Sequence, residues 1–170
     1  MITRLLIASA VAGLFLPGQT VVEQVAATPV GRPDTSTVLQ VKGHVAIGLS
    51  LSLEDLAGMP HYEAEATIHG RTVAYRGISL GELLELAEVP EGGDLLRTIV
   101  FARAPDGYEV VFALAELSGD FNDRTVLIAD RRDGEPLPPE EGPLRLVVPW
   151  EKRGARSVRQ VSEIEVRVLP

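Results

Sequence analysis

"HYEAEATIHGRTVAYRGISLGELLELAEVP", residues 61–90, changes its period halfway, and that change decides the fold class. Tyr62, Ala64, Ala66 and Ile68 alternate with polar residues, which gives an extended strand one apolar face. His69-Gly70 turns the chain, and "RTVAYRG" returns as the second strand of a β-hairpin. The spacing then lengthens to that of a helix, with Leu80, Leu83, Leu84 and Ala87 on one side. Ser79 is its N-cap, Glu82 stands at the third helical position as in a capping box, and Pro90 stops it. Strands interspersed with short helices specify the α+β class.

The flanking segments carry the same signals. Upstream, "TSTVLQVKGHV" (35–45) is a strand ending at Gly43. "LSLEDLAGMP" (51–60) is a helix of one or two turns, capped by Ser52 and closed by Gly58 and Pro60. Downstream, "LRTIVFARAPDGYEVVFALAEL" (96–117) reads as strand, Pro-Asp-Gly turn, strand and short helix. "RTVLIADRRDGEPLPPEEGPLRLVVP" (124–149) gives a strand, an Asp-Gly turn, a Pro-rich loop and another strand. The final segment ends in clean alternation of Ile164, Val166 and Val168. These elements predict a mixed, mostly antiparallel sheet with two or three short helices. Aromatics are only 5% of the 170 residues, so Val, Leu, Ile and Ala must fill the core of what length predicts to be one domain.

The first residues read as an address. "MITR" is a short basic region and "LLIASAVAGLFL" (5–16) an apolar run too short to span a bilayer comfortably. A signal peptide over 1–20 is expected, with cleavage somewhere in 17–27; an uncleaved N-terminal anchor is the alternative. Residues 21–35 read as a flexible tether and 36–170 as the domain. The expectation is a periplasmic or otherwise exported protein with no stable membrane span after processing, and an envelope protein is a candidate partner. "MITR" lacks the twin arginine of folded-state export.

Composition also excludes functions. A net charge of −8 argues against nucleic-acid binding, which needs an extended basic footprint. The absence of cysteine excludes disulfides, zinc–cysteine sites, iron–sulfur clusters and a thiol nucleophile. No phosphate-binding glycine loop or nucleophile elbow occurs. His44, His61 and His69 lack metal-site spacing and read as ordinary turn or strand-end residues, so no metal site is expected. Glu140 and Glu141 read as solvated loop residues.

Against that acidic background, "PWEKRGARSVRQVSEIEV" (149–166) gathers Lys152, Arg153, Arg156 and Arg159, four of the sixteen basic side chains. Arginine can hold a phosphate in a bidentate fork, and Gly154 lets backbone amides approach an anion closely. Strict alternation cannot put Arg156 and Arg159 on one face, but a loop can converge them. The competing reading is a solvated basic turn that pairs with Glu151 and Glu163.

Taken in order, these segments resemble the molybdopterin-binding domain of the sulfite-oxidase-type oxidoreductases. The resemblance runs from about residue 38 to 168 and is most specific in "DGEPLPPEEGPLRLVVP" (133–149) and "KRGARSVRQVSEIEV" (152–166). It implies a mixed α+β fold and a pyranopterin whose terminal phosphate meets basic residues near the last segment. Carried over, the cofactor-binding candidates are Lys152, Arg153, Arg156 and Ser157, with Tyr108 and Arg103 as further candidates for the cleft wall. Catalytic members supply a molybdenum-ligating cysteine between the first helix and the segment resembling "YRGISLGELL"; here that stretch, "YEAEATIHGRTVAYRG", has none, and His69 lies nearest the missing position. A thiolate is a soft, strongly donating ligand that imidazole does not replace. No haem is expected. Three functions follow: a module binding molybdopterin or a related anion without thiolate-ligated redox chemistry, a molybdenum-dependent oxidoreductase, or a partner-binding envelope domain with an empty cleft.

Overall fold

A computed structural model describes residues 37–68, 70–89, 95–121 and 123–170. The expected signal peptide and tether, His69 and Pro90 lie outside them. The described elements run β1 (Thr37–Gly43), β2 (Leu49–Ser52), α1 (Leu53–Ala57), β3 (Tyr62–Ile68), β4 (Arg71–Ser79), α2 (Leu80–Leu86), β5 (Thr98–Arg103), β6 (Glu109–Ala113), α3 (Leu114–Leu117), β7 (Leu127–Arg132), β8 (Glu135–Pro136), β9 (Arg145–Val147) and β10 (Glu163–Val168). Short 3-10 turns occupy Leu95–Arg97 and Gly154–Arg156. Among the described residues no helix is long and apolar enough to cross a membrane.

The fold is α+β, as expected, but its strands form two sheets. One has the order β2-β1-β10-β5-β6; the other has β3-β4-β7-β8, with β9 also paired to β7. Pairing is antiparallel except between β1 and β10, where Gln40 faces Glu163. The main core is shared by residues of both sheets, with Leu39, Val100 and Ile164 from one and Ile128 and Leu146 from the other, all at most 1% exposed. Leu80, Leu83 and Leu84 of α2 add the apolar face that their spacing predicts. A smaller cluster around Tyr75, Leu127 and Val147 packs separately, so residues of the second sheet serve two cores.

Local chemistry sets several boundaries. At α1 the Ser52 hydroxyl accepts from the Asp55 amide while the Asp55 carboxylate accepts from the Ser52 amide, a complete capping box. At α2 only half of the predicted box forms: Ser79 Oγ accepts from the Glu82 amide, but the Glu82 carboxylate accepts from the Tyr62 hydroxyl instead. A strand neighbour outcompeted the helix's own N-cap for that carboxylate. Gly43 ends β1 at φ +95°, where a Cβ would lie 2.2 Å from the Val166 carbonyl oxygen.

On the outer face of the first sheet, Arg103 bridges Glu109, Glu163 and Glu165, and Arg167 also pairs with Glu165. Hydrogen bonding to Arg167 and then to Arg103 outweighs burial and holds the Glu165 carboxyl at about 2. Burial pushes Glu163 up, but Lys42 and Arg103 outweigh it and hold its carboxyl below the usual range. Both shifts are depressions, so their stabilisation is complete above the ordinary carboxyl value near 4.5 and is lost as pH falls towards 2. Acid unfolding followed by circular dichroism is therefore expected to steepen between those values. Glu165→Gln should flatten that limb, leaving the neutral-to-alkaline side of the curve in place.

Candidate functional site

The chain before β10 doubles back on β9. Leu146 N–H donates to the Val158 carbonyl (2.8 Å) and Val161 N–H to the Leu144 carbonyl (3.0 Å). Between these bonds, Arg145 and Arg159 face each other across an antiparallel bridge. Directly opposed like charges destabilise a ladder unless something lies between or above them to compensate. One compensation is present: Arg145 Nη1 sits 2.7 Å from Glu141 Oε2.

Above this bridge opens a cleft of about 770 Å³. Arg145 and Arg159 line it together with Lys152, Arg153 and Gly154. The β3–β4 hairpin contributes Thr67 near the end of β3 and Gly70 of its turn, and the β5–β6 turn contributes Asp106 and Tyr108. Four cations thus face two carboxylates, Asp106 and Glu141, and the local field is positive although the protein is acidic. Among the described residues no carboxylate pairs with Lys152, Arg153 or Arg159. Arg145 is only 5% exposed, and its Nε is buried without a hydrogen-bond partner. An unpartnered guanidinium N–H at such depth costs free energy unless a ligand or water accepts from it.

Of the sequence candidates, Lys152, Arg153 and Ser157 reach the cleft wall. Ser157 is buried and its Oγ accepts from the Val148 amide, which leaves its own O–H proton to donate. Arg156 does not line the cleft. Its guanidinium bonds Glu151 (2.6 Å) and Glu116 (3.1 Å), lies over the Phe112 ring, and reaches the Val111 carbonyl on the edge strand β6. Burial alone would push the Arg156 guanidinium down, but those two carboxylates hold it above its ordinary value. Tyr108 lines the cleft and donates to the Ala155 carbonyl (2.6 Å), whereas Arg103 belongs to the outer sheet face.

The turn of the 61–90 hairpin lines the cleft together with Arg145, Asp106 and Glu141, and neither local periodicity nor charge clustering marks them as site residues. Arg145 left one usable signal: a lone arginine inside the apolar run "PLRLVVP", where a charged residue is buried only if it is engaged. Glu141 is not a solvated loop residue. Its side chain is 13% exposed and joins Arg145 to Arg132, 3.0 Å away on the other side. His44 is exposed, and His61 is half-buried with Nδ1 2.8 Å from the Met59 carbonyl oxygen. Among the described residues no group of three or more metal-ligating side chains occurs.

Comparison with known proteins gives three kinds of match. The family profile described as "Oxidoreductase molybdopterin binding domain" matches residues 26–169. The uncharacterized oxidoreductase YuiH of Bacillus subtilis is 35% identical over 118 residues, covering 65% of this chain and 56% of that protein. A nitrate reductase [NADPH] of Fusarium oxysporum is 32% identical over 103 residues, 58% of this chain but 11% of the enzyme. The chain thus spans little more than half of one curated relative and a small part of the other. Among solved structures, the sulfane dehydrogenase SoxCD of Paracoccus pantotrophus superposes with a TM-score of 0.62 at 23% identity, over 75% of this chain and 37% of that one.

Proposed function

The chain belongs to the oxidoreductase molybdopterin-binding domain family, and from that premise we propose that it is an exported member. In this reading it holds the phosphate end of a pterin cofactor, or a related anion, in the cleft. The observation that carries it is the opposed pair Arg145 and Arg159, flanked by Lys152 and Arg153, with a buried Arg145 N–H that lacks an acceptor. A phosphate oxygen completes that guanidinium and relieves the repulsion between the two arginines. Gly154 keeps the backbone accessible, and the Ser157 O–H supplies a donor on the same wall.

The donor set fits the phosphate-bearing end of the cofactor. Among the described residues it offers no soft ligand, since the side chains lining the cleft supply hydroxyl, carboxylate and cationic groups, and the sequence contains no cysteine. Bound molybdopterin supplies a dithiolene that can carry molybdenum. This chain's own residues bind and orient the cofactor, and the reading assigns them no thiolate-ligated redox step. The apolar run at 5–16 behind Arg4 supports export.

The test is anion-dependent stability, read together with molybdenum and pterin content after expression in a molybdopterin-competent host. Pyrophosphate at a hundredfold excess over its Kd should stabilise the domain by about 2.7 kcal/mol. Arg153→Ala and Arg159→Ala should lose most of that gain. Arg156→Ala should start from a lower thermal midpoint, because Glu116 and Glu151 lose their cation, yet keep the anion-dependent rise. Unchanged midpoints with every anion would reject the reading. Stoichiometric molybdenum would instead favour a metal-dependent oxidoreductase in which the pterin alone anchors the metal.

A further inference from the structure

The cleft contains a carboxylate whose position conflicts with simple electrostatics. Glu141 lines a site read here as anion-binding, so its own charge opposes the ligand. Yet it holds both sides of the arginine bridge. Its Oε2 lies 2.7 Å from Arg145 Nη1 in a buried ion pair without hydrogen-bond geometry, and its Oε1 accepts from Arg132 Nη1 at 3.0 Å. Its backbone carbonyl accepts from Gln160 N–H at 2.8 Å, next to Arg159. Gln160 is one of the few non-glycine residues at positive φ (+52°), and its side chain donates to the Pro139 carbonyl in the same loop. The loop therefore sets the course of the chain as it leaves Arg159. Asp106, by contrast, lines the same cleft and accepts from the Tyr108 amide (2.9 Å), and among the described residues it pairs with no cation.

We propose that Glu141 is a positioning residue: its carboxylate strengthens anion capture by holding Arg145 in place beside the segment that its backbone ties to Arg159, despite adding negative charge to the cleft. The inference rests on the anion-binding reading. A long arginine side chain that must be immobilised on binding loses affinity; one already held by Glu141 does not. The carboxylate also keeps Arg145 from moving away from Arg159, which it opposes across the bridge.

Two variants that each remove one negative charge should then move affinity in opposite directions. Titration calorimetry with pyrophosphate on the full chain provides the readout. Asp106→Asn should bind about threefold more tightly, as expected for removing one partly screened like charge. Glu141→Gln should bind about tenfold more weakly, the scale of one lost preorganised side chain. Glu141→Asp retains the charge but is too short to reach both arginines, so it too should weaken binding; it also carries the test if Glu141→Gln does not fold. If Glu141→Gln binds as tightly as the unmodified chain or more so, positioning is overturned, and the same holds if Glu141→Asp is unchanged. If the unmodified chain binds no pyrophosphate, the anion-binding reading itself falls, a failure distinct from either.

Discussion

Arg145→Met is expected to remove measurable pyrophosphate binding while leaving the domain folded. Methionine retains an unbranched stem to pack near Tyr75, whose ring centroid lies 5.6 Å from the Arg145 guanidinium carbon. What disappears is the one cation, among the described residues lining the cleft, that is nearly fully buried. Truncating a desolvated, hydrogen-bonded charge at a binding site costs about 2–5 kcal/mol, or at least thirtyfold in affinity. The effect on folding should be smaller. Breaking a buried ion pair usually costs about 3–5 kcal/mol, because it strands the remaining charge. Here Glu141 keeps Arg132, and the repulsion between Arg145 and Arg159 vanishes as well. Calorimetric titration should therefore show lost binding beside a modest change in thermal midpoint. An equal loss of both would mean that Arg145 serves the fold alone.

The second large effect is structural. A Cβ on Gly77 would lie 2.2 Å from the Ile128 carbonyl oxygen and 2.5 Å from Ala129 Cα. Both are backbone atoms of β7, so no side-chain rotation relieves the clash. Gly77 also sits at the register shift between β4 and β7, where the ladder is already irregular. Gly77→Ala must push those strands apart at the centre of the second sheet. The expected cost is about 3 kcal/mol or more, at the upper end for overpacking, and a fall in thermal midpoint on the order of 10 °C. Differential scanning calorimetry measures it directly. A midpoint within 2–3 °C of the unmodified protein would show that β7 can yield, against the packing described above, since ~1 kcal/mol moves it about that far.

Much of this architecture was legible because local signals and tertiary packing agree. The hairpin from Tyr62 to Ser79, the α2 face and the Ser52 cap all follow from short-range periodicity and capping chemistry. β2 was not legible: "LSLS" is four residues long, and its alternation has meaning only once it pairs with β1. Nor does any local pattern reveal that the strands divide between two sheets. The cationic segment stood out by charge alone, but charge does not say which way an arginine points. Arg156 turns to Glu151, as the alternative of a self-paired turn had it, and to the distant Glu116, whereas Glu163, the other partner of that alternative, pairs with Lys42 and Arg103. Arg145 joins the cleft only because two distant segments meet at its bridge to Arg159.

The pairing of β1 with β10 sets a clock for the molecule. Synthesis runs from the N-terminus, so β1 and β2 emerge early, but the strand between them and β5 is the last to be made. Closing that pair brings Gln40 to Glu163 across nearly the whole domain, the kind of non-local contact that slows folding into the millisecond-to-second range. Until then the β3–β4 hairpin can form locally, while the main core lacks Ile164 and Val166 and the arginine bridge lacks its second strand. The cleft is thus one of the last features to exist. Any ligand that helps the chain fold must act on a nearly finished domain, by trapping its final closure.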